Sequence, residues 1–216
     1  SRTPKVPSVV VDDCHGAYEI TKYLIENGHT RIGVIMGKAD SIHAQSRLVG
    51  YQEALFDSGI LYSPGFVTEG DWNRESGYEG ITKLLAKDIT AVFCMNDLMA
   101  GGVYDRLAEL GMTVGEDLSV VGYDNRELSS YYNPPLTTID LPLHDIGYRA
   151  SEIMIEMLEG REISEEESVC AVECTRRIRK SVKDISGKNM SEKNASEKNI
   201  SEKNASEKNP SEKIPK

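Results

Sequence analysis

Polar and aromatic side chains follow four short apolar runs of this chain, each at the point where a run ends. The run at residues 119–123 is rich in β-branched residues and is followed by Asp124 and Asn125. The other three runs are followed, in chain order, by Gly37 and a polar loop, by Asp71 and Trp72, and by Asn96. Short runs of this composition predict buried parallel strands. Because open α/β sheets bind ligands at the carboxyl ends of their strands, the sequence predicts a ligand-binding edge.

A catalytic role is the competing interpretation of such an edge, and the motifs disfavour it. Cys14 and His15 place a thiol beside an imidazole, but adjacent residues of a strand point in opposite directions and rarely form a nucleophile–base pair. The chain has no Gly-x-Ser-x-Gly, His-Glu-x-x-His or phosphate-binding glycine motif, and its four cysteines lack the spacing of a zinc site. We therefore expect no enzyme activity, no metal and no cofactor.

Strand and helix patterns alternate from residue 8 to residue 122, which predicts parallel βαβ units. The predicted strands cover residues 8–11, 32–36, 66–69, 90–95 and 118–121. The predicted helices cover residues 16–27, 44–58, 75–86 and 97–110, and Gly28, Gly59 and Gly111 end three of them. This order predicts an α/β fold with a Rossmann-like, doubly wound parallel sheet.

A further helix is predicted near residues 144–159, after Pro134 and Pro135 interrupt the alternation and an extended segment follows at 137–140. Its apolar residues recur at helical spacing. They are Ile146, Ala150, Ile153, Met154 and Met157. The stripe needs a surface to cover, and the predicted sheet is already occupied by other helices. We expect its partner to lie in sequence that precedes this chain.

Charge and cysteine content limit the possible partners. The formal net charge of -10 opposes non-specific binding to nucleic acid, so these residues alone are not expected to bind DNA. The cysteine spacing suggests four reduced thiols and therefore a cytoplasmic protein. Neither an 18-residue apolar run nor an N-terminal signal segment is found, so no membrane association is expected.

The end of the chain differs in kind from the rest. From Ser191 the unit Ser-Glu-Lys-Asn-x recurs every five residues with almost no apolar side chains. Such a segment cannot bury enough surface to offset the entropy of ordering it. We predict a disordered tail at residues 183–216.

Six motifs, in order, resemble the effector-binding domain of transcription regulators of the lactose/galactose-repressor type. They are residues 27–33 (NGHTRIG), 47–55 (RLVGYQEAL), 70–78 (GDWNRESGY), 96–100 (NDLMA), 116–124 (EDLSVVGYD) and 134–138 (PPLTT). The resemblance runs from about Val6 to Ser181. It implies a periplasmic-binding-protein-like fold of two Rossmann-like subdomains, with a sugar or other small effector bound between them.

The same resemblance implies that most of the N-terminal subdomain and the DNA-binding headpiece lie outside this chain. Residues 1–13 would form a strand that crosses the hinge, and residues 14–139 the C-terminal effector-binding subdomain. Residues 140–182 would be a crossover segment with a helix and the final strands of the incomplete N-terminal subdomain. The chain would then carry half of the effector cleft.

Effector contacts carry over to six positions. The resemblance implies that Asp124 accepts hydrogen bonds from adjacent hydroxyls, that Arg47 presents a planar fork and that Asn96 both donates and accepts. Trp72, the only tryptophan of the chain, would stack on the apolar face of a sugar ring. Ser41 and His43 occupy the loop where family members vary their contacts, and a serine there suits a hydroxylated ligand.

Each of these positions also has a structural alternative. Asp124 could form a turn or cap a helix, and Arg47 could form an internal salt bridge. Asn96 could cap the helix that begins at Asp97. Trp72 could belong to the core, and His43 could simply be exposed.

The resemblance further implies a homodimer that binds operator DNA through its headpieces and responds allosterically to the effector. The subunit interface would include Met99, Gly101, Gly102, Tyr131 and Tyr132. Ordinary core packing and a solvated turn are the alternatives for these residues. A secreted sugar receptor of a transporter, which shares the fold, is the alternative function, and neighbouring permease genes would favour it.

Overall fold

The computed structural model describes residues 6–161, 163–164 and 168–187. Within these residues, five α-helices lie at Asp13–Glu26 (α1), Ile42–Asp57 (α2), Arg74–Leu85 (α3), Asp97–Glu109 (α4) and Leu143–Leu158 (α5). The same described ranges contain eight strands, at Ser8–Val11 (β1), Ile32–Ile35 (β2), Val67–Thr68 (β3), Ala91–Cys94 (β4), Ser119–Val121 (β5), Thr138–Asp140 (β6), Val169–Val172 (β7) and Thr175–Arg177 (β8). The alternation predicted from the sequence is therefore present, with bounds that differ by a few residues.

The main sheet is parallel and has the strand order β3-β2-β4-β5. Every residue of β2, β4 and β5 is buried, which is why these strands are continuous apolar runs instead of alternating patterns. Beyond β5 the sheet continues into β6, because the Gly122 amide donates a 2.9 Å hydrogen bond to the Thr137 carbonyl. The antiparallel strand β8 then pairs with β6.

The direction of the crossovers changes in the middle of this sheet. The connection from β2 through α2 leads to β3 on one side, and the connection from β4 through α4 leads to β5 on the other. Right-handed crossovers therefore place α2 and α4 on opposite faces. The gap between the carboxyl ends of β2 and β4 is the topological switch point, where sheets of this kind bind ligands.

The first strand lies outside the main sheet. The prediction that the doubly wound sheet starts at residue 8 is therefore wrong. β1 pairs in parallel with β7, with Ser8 opposite Val169 and Val11 opposite Val172. About 160 residues separate the two strands, so the local sequence pattern could not reveal the pairing. In chain order, the first strand of the four-stranded sheet is therefore β2.

The apolar stripe of α5 is mostly uncovered by the described residues. Within this helix only Ile153 is buried, whereas the stripe residues Met154 and Met157 are 58% and 46% exposed. The helix packs beside β1 and away from the main sheet. None of the described helices combines the length and the apolar character needed to cross a bilayer.

The described chain is ordered beyond the predicted tail boundary at residue 183. The Ile185 amide donates a 2.9 Å hydrogen bond to the Asn27 carbonyl, and the Lys183 amide donates one of 2.9 Å to Ser119 Oγ. These contacts tie the segment to the end of α1 and to β5. The repeats from Ser191 onward, for which disorder is predicted, lie outside the described residues.

Candidate functional site

A buried arginine occupies the switch point between β2 and β4. Arg47 lies in the second turn of α2, and its side chain is only 7% exposed. Its Nε donates a 2.7 Å hydrogen bond to Asp13 Oδ1, and its Nη1 donates to the Met95 carbonyl. The same Nη1 lies 3.8 Å from Asp124 Oδ1. The guanidinium therefore joins the N-terminus of α1, the end of β4 and the loop after β5.

Two aromatic rings enclose this guanidinium. Its central carbon lies 3.7 Å from the centroid of the Tyr123 ring and 5.6 Å from that of the Trp72 ring. Cation–π attraction of this kind strengthens when the charge is desolvated. The two rings therefore hold the guanidinium at the edge of the sheet, with Trp72 contributed by the loop after β3.

Trp72 is held in place by its neighbours on both sides. Its backbone has a positive φ of 74°, an uncommon conformation for a bulky residue. The Asn96 amide donates a 2.8 Å hydrogen bond to the Trp72 carbonyl. The ring itself packs on Gly37, where a Cβ atom would overlap the indole. A glycine after β2 is therefore required by the position of the indole.

Asn96 performs two structural tasks with one amide group. Its Oδ1 accepts a 2.8 Å hydrogen bond from the Met99 amide and so caps α4, while its Nδ2 fixes Trp72. The capping alternative considered for the sequence is thus present. A contact between Asn96 and an effector stays a prediction, and it would have to use the second N–H of Nδ2 or the second lone pair of Oδ1.

Asp124 faces the arginine from the end of β5. Burial raises its pKa to about 6, against the opposing effect of Arg47 and of Arg126, whose Nε lies 3.9 Å away. Its φ is 106° and that of Asn125 is 51°, so two successive residues in the left-handed region turn the chain back after the strand. The turn leaves the carboxylate side chain 20% exposed at the edge.

Asp97 is fully buried and holds the loop that follows β5 through hydrogen bonds. Its two carboxylate oxygens accept hydrogen bonds of 2.6 Å from Thr138 Oγ1 and 2.7 Å from the Arg126 amide. Burial raises the pKa of this carboxyl group to about 7, and the two hydrogen bonds and Arg179 offset only part of the rise. The group therefore titrates close to neutral pH.

Asp97→Asn is expected to remove a pH dependence of stability. A carboxyl group whose pKa rises from 3.8 to about 7 on folding stabilises fully below pH 3.8, and that contribution is lost as pH rises through about 7. Asparagine cannot ionise; its Oδ1 can accept from the Arg126 amide, and its Nδ2 can donate to Thr138 Oγ1, so the second bond is kept with its direction reversed. Urea unfolding between pH 4 and pH 8 should therefore show the variant gaining on the order of 2–4 kcal/mol over the parent as pH rises.

The surface variant Asp88→Asn is the matched control, because the Asp88 side chain is 94% exposed. Burial lowers the pKa of His29, so this group destabilises the fold as pH falls below its ordinary value of 6.5 and acts in the opposite direction. His29 is present in both proteins, so its contribution to the free energy of unfolding cancels when the parent curve is subtracted from the Asp97→Asn curve. Parallel curves for the two proteins would contradict a buried, titrating Asp97.

Ser41 and His43 lie at the start of α2, in the segment that follows β2. Ser41 occupies the N-cap position, but its side chain makes no capping hydrogen bond. His43 Nδ1 lies 2.6 Å from Asp13 Oδ2, and its side chain is 60% exposed. Asp13 therefore contacts both His43 and Arg47. The effector roles of Ser41 and His43 stay predictions.

The structure brings the predicted effector residues together at one edge. Arg47, Trp72, Asn96 and Asp124 come from four different strand–helix junctions and contact one another directly or through one neighbour. Sequence reasoning missed Asp13 and Tyr123. The helix predicted from the sequence began at residue 16, so Asp13 was not recognised as an acid in the first turn of α1, the signal that could have found it.

Three of the predicted subunit-interface residues pack inside the chain. Met99, Gly101 and Gly102 are buried where α4 meets α3 and the Tyr132 loop, which is the core-packing alternative. Tyr132 stacks on Tyr104 with ring centroids 4.9 Å apart, and its hydroxyl donates to the Asp97 carbonyl.

Tyr131 differs from this group because it is 76% exposed. Among the five predicted interface residues it is the one with a largely free surface. A subunit interface on this side of the chain stays a prediction.

The family described as the periplasmic binding protein-like domain matches residues 21–182. Curated relatives named HTH-type transcriptional repressor PurR are 39% identical over 164 residues in Aliivibrio fischeri strain ES114 and 43% identical over 170 residues in Pasteurella multocida strain Pm70. The matched stretches cover 74% and 78% of this chain but 49% and 50% of those relatives. The chain thus spans about half of their length. These relatives are transcription regulators and not enzymes, which confirms the prediction of a non-catalytic protein.

Solved structures of LacI-family regulators share the fold. A sugar-binding regulator of this family from Escherichia coli, solved with phosphate, is 30% identical to this chain with a TM-score of 0.75. The matched region covers 82% of this chain and 63% of the regulator's chain. The regulator CelR in complex with cellobiose is 32% identical with a TM-score of 0.76 and covers 82% and 54%. The predicted periplasmic-binding-protein-like α/β fold is confirmed, and the chain belongs to the periplasmic-binding-protein-like domain family of LacI-type transcription regulators.

Proposed function

We propose that this chain is the effector-sensing part of a transcriptional repressor and that its effector is a carbohydrate. The observation that supports this most strongly is the convergence of Arg47, Trp72 and Asp124 at the switch point of the sheet. A planar donor, an aromatic face and a carboxylate acceptor within a few ångströms of one another match the two sides of a sugar ring.

The groups at this edge suit hydroxyls better than a flat base. Asp124 can accept hydrogen bonds from two adjacent hydroxyls, and the free hydroxyl of Ser41 can both donate and accept. Trp72 offers a face to the apolar C–H side of the ring. The regulator CelR, which was solved with cellobiose, supports the same ligand class.

The rest of the proposed regulator lies outside these residues. The chain spans about half the length of the relatives it matches, and the exposed stripe of α5 is a surface that an N-terminal subdomain would cover. That subdomain would close the second side of the cleft. A helix-turn-helix headpiece would bind operator DNA, and two subunits would pair across a two-fold site.

Repression would be controlled by the relative orientation of the two subdomains. An effector can shift this orientation only if it binds one arrangement more tightly than the other. Arg47 is suited to sense the difference, because it contacts ligand-facing residues and, through Asp13, the segment that follows β1. A DNA-bound regulator with four free thiols in its described part would function in the cytoplasm.

The single tryptophan provides a direct test of the proposed ligand. Trp72 fluorescence should change on titration of the chain with ribose or cellobiose, and it should change less with the purine bases adenine and hypoxanthine. The isolated chain should bind weakly because it supplies one side of the cleft. A response to the purine bases alone would replace carbohydrate by purine as the ligand class, and no response to any of the four would contradict an effector site at Trp72.

Binding should depend on pH through Asp124. The ionised carboxylate accepts hydrogen bonds from hydroxyls, and its pKa is raised to about 6. Affinity for ribose should therefore fall roughly tenfold between pH 7.5 and pH 5, because protonation replaces the charged acceptor with a weaker neutral one. A pH-independent affinity measured by fluorescence titration would exclude Asp124 as the acceptor.

A further inference from the structure

The charges at the effector edge are paired within the protein. Arg47 and Asp13 form a buried ion pair with a 2.7 Å hydrogen bond, and the side chains are 7% and 5% exposed. Arg126 lies 3.9 Å from Asp124, whose carboxylate also faces Arg47 at 3.8 Å. Two arginines therefore face two aspartates, and the imidazole of His43 contacts the second oxygen of Asp13 at 2.6 Å. At neutral pH the edge presents no excess cationic charge to a ligand.

Asp13 is the close counter-charge of Arg47, the more buried of the two arginines. Without Asp13, Arg47 would keep one contact to a carbonyl and a longer one to Asp124, and it would be a cation without a close counter-charge. A desolvated, unpaired guanidinium is a strong site for phosphate or carboxylate groups. With Asp13 in place, an anionic ligand would have to approach two carboxylates to reach one guanidinium that is already engaged.

We propose that Asp13 is a specificity-determining residue, which neutralises Arg47 and makes this edge select uncharged polyhydroxy ligands against phosphorylated or carboxylated ones. The inference rests on the proposed function, because it specifies the charge of the ligand at the same site. Asp13 contacts Arg47 and not the ligand. It would affect ligand binding by neutralising the charge of Arg47.

The charge at the edge can be measured without a cognate ligand, because Trp72 lies beside Arg47 and is the only fluorophore of its kind. Iodide and acrylamide both quench indole fluorescence, but only iodide responds to local charge. In Asp13→Asn the ratio of the iodide to the acrylamide quenching constant should rise roughly two- to fivefold at low ionic strength, since an unpaired cation then lies 5.6 Å from the indole.

Asp88→Asn is the matched control, with the same change of net charge at an exposed position before β4, at the opposite end of the strands. Its quenching ratio should equal that of the parent protein. The reciprocal variant Arg47→Gln leaves Asp13 without its cation, so its ratio should fall below that of the parent. An unchanged ratio in a folded Asp13→Asn or Arg47→Gln variant, checked by circular dichroism, would overturn the proposal.

The parent protein supplies a second measurement that requires no variant. Ribose 5-phosphate should bind at least tenfold more weakly than ribose, and Asp13→Asn should remove or reverse that preference. Equal or tighter binding of the phosphate ester by the parent would overturn the proposal. If no sugar affects Trp72, the proposed carbohydrate function fails, but the quenching ratios still report whether Asp13 controls the charge at this edge.

Discussion

Asp124→Asn should weaken the binding of a neutral sugar about 10- to 100-fold and leave the fold intact. The substitution keeps the shape of the side chain but removes the charge, and hydrogen bonds to a charged acceptor contribute about 1.5–3 kcal/mol. Asparagine tolerates the φ of 106° at this position, so the backbone turn should survive. Calorimetric or fluorescence titration with ribose would give the change in affinity.

Asp88→Asn is again the control, because Asp88 also has a positive φ, of 49°, but is remote from the effector edge. Asp124→Asn should also lose the pH dependence of binding near pH 6, which separates loss of the ionisable acceptor from a general disturbance of the loop. In the complete regulator, Asp124→Ala should abolish the response to effector while DNA binding remains. Retention of full sugar affinity by Asp124→Asn would contradict the role given to this carboxylate.

Gly102→Ala should destabilise the protein by about 2–3 kcal/mol, because α3 and α4 are in contact at this glycine. An added Cβ atom would lie 2.6 Å from the Tyr78 amide nitrogen and would overlap the Arg74 carbonyl oxygen. Both atoms belong to the backbone of α3, so the overlap can be relieved only by moving one helix away from the other. Urea unfolding monitored by circular dichroism would give the change in free energy.

Gly147→Ala makes the same chemical change in α5, where an added Cβ atom would meet nothing within 4 Å. Alanine favours a helix interior over glycine, so this variant should gain about 0.5–1 kcal/mol. The two substitutions are therefore expected to have opposite signs. A similar effect of both would mean that glycine is present at position 102 for a reason other than the close contact of the helices.

Local patterns predicted the elements of this fold because each pattern has a local cause. Asn96 marks the start of α4 by accepting the Met99 amide, and Gly28 ends α1 with a φ of 90° that other residues rarely adopt. The apolar runs predicted β2, β4 and β5 because parallel strands are covered on both faces. These features depend on residues a few positions apart.

Contacts between distant segments were not predictable in the same way. The pairing of β1 with β7 and the hydrogen bond from Arg47 to Asp13 join residues that no local periodicity relates. The resemblance to known regulators suggested Arg47 but not the residue that neutralises it. Similarly, the resemblance placed Gly101 and Gly102 at a subunit interface, but the structure shows that Gly102 packs on the backbone of α3 in the same chain.

Nuclear magnetic resonance of the ¹⁵N-labelled chain titrated with ribose would test most directly whether separate strand–helix junctions form one ligand-binding edge. The single indole resonance of Trp72, the Arg47 side-chain Nε–H and the backbone amide of Asp124 should shift together along one binding curve, while the amides of α5 stay unchanged. Shifts restricted to residues away from the β2–β4 switch point, or different curves for Trp72 and Asp124, would contradict a shared site.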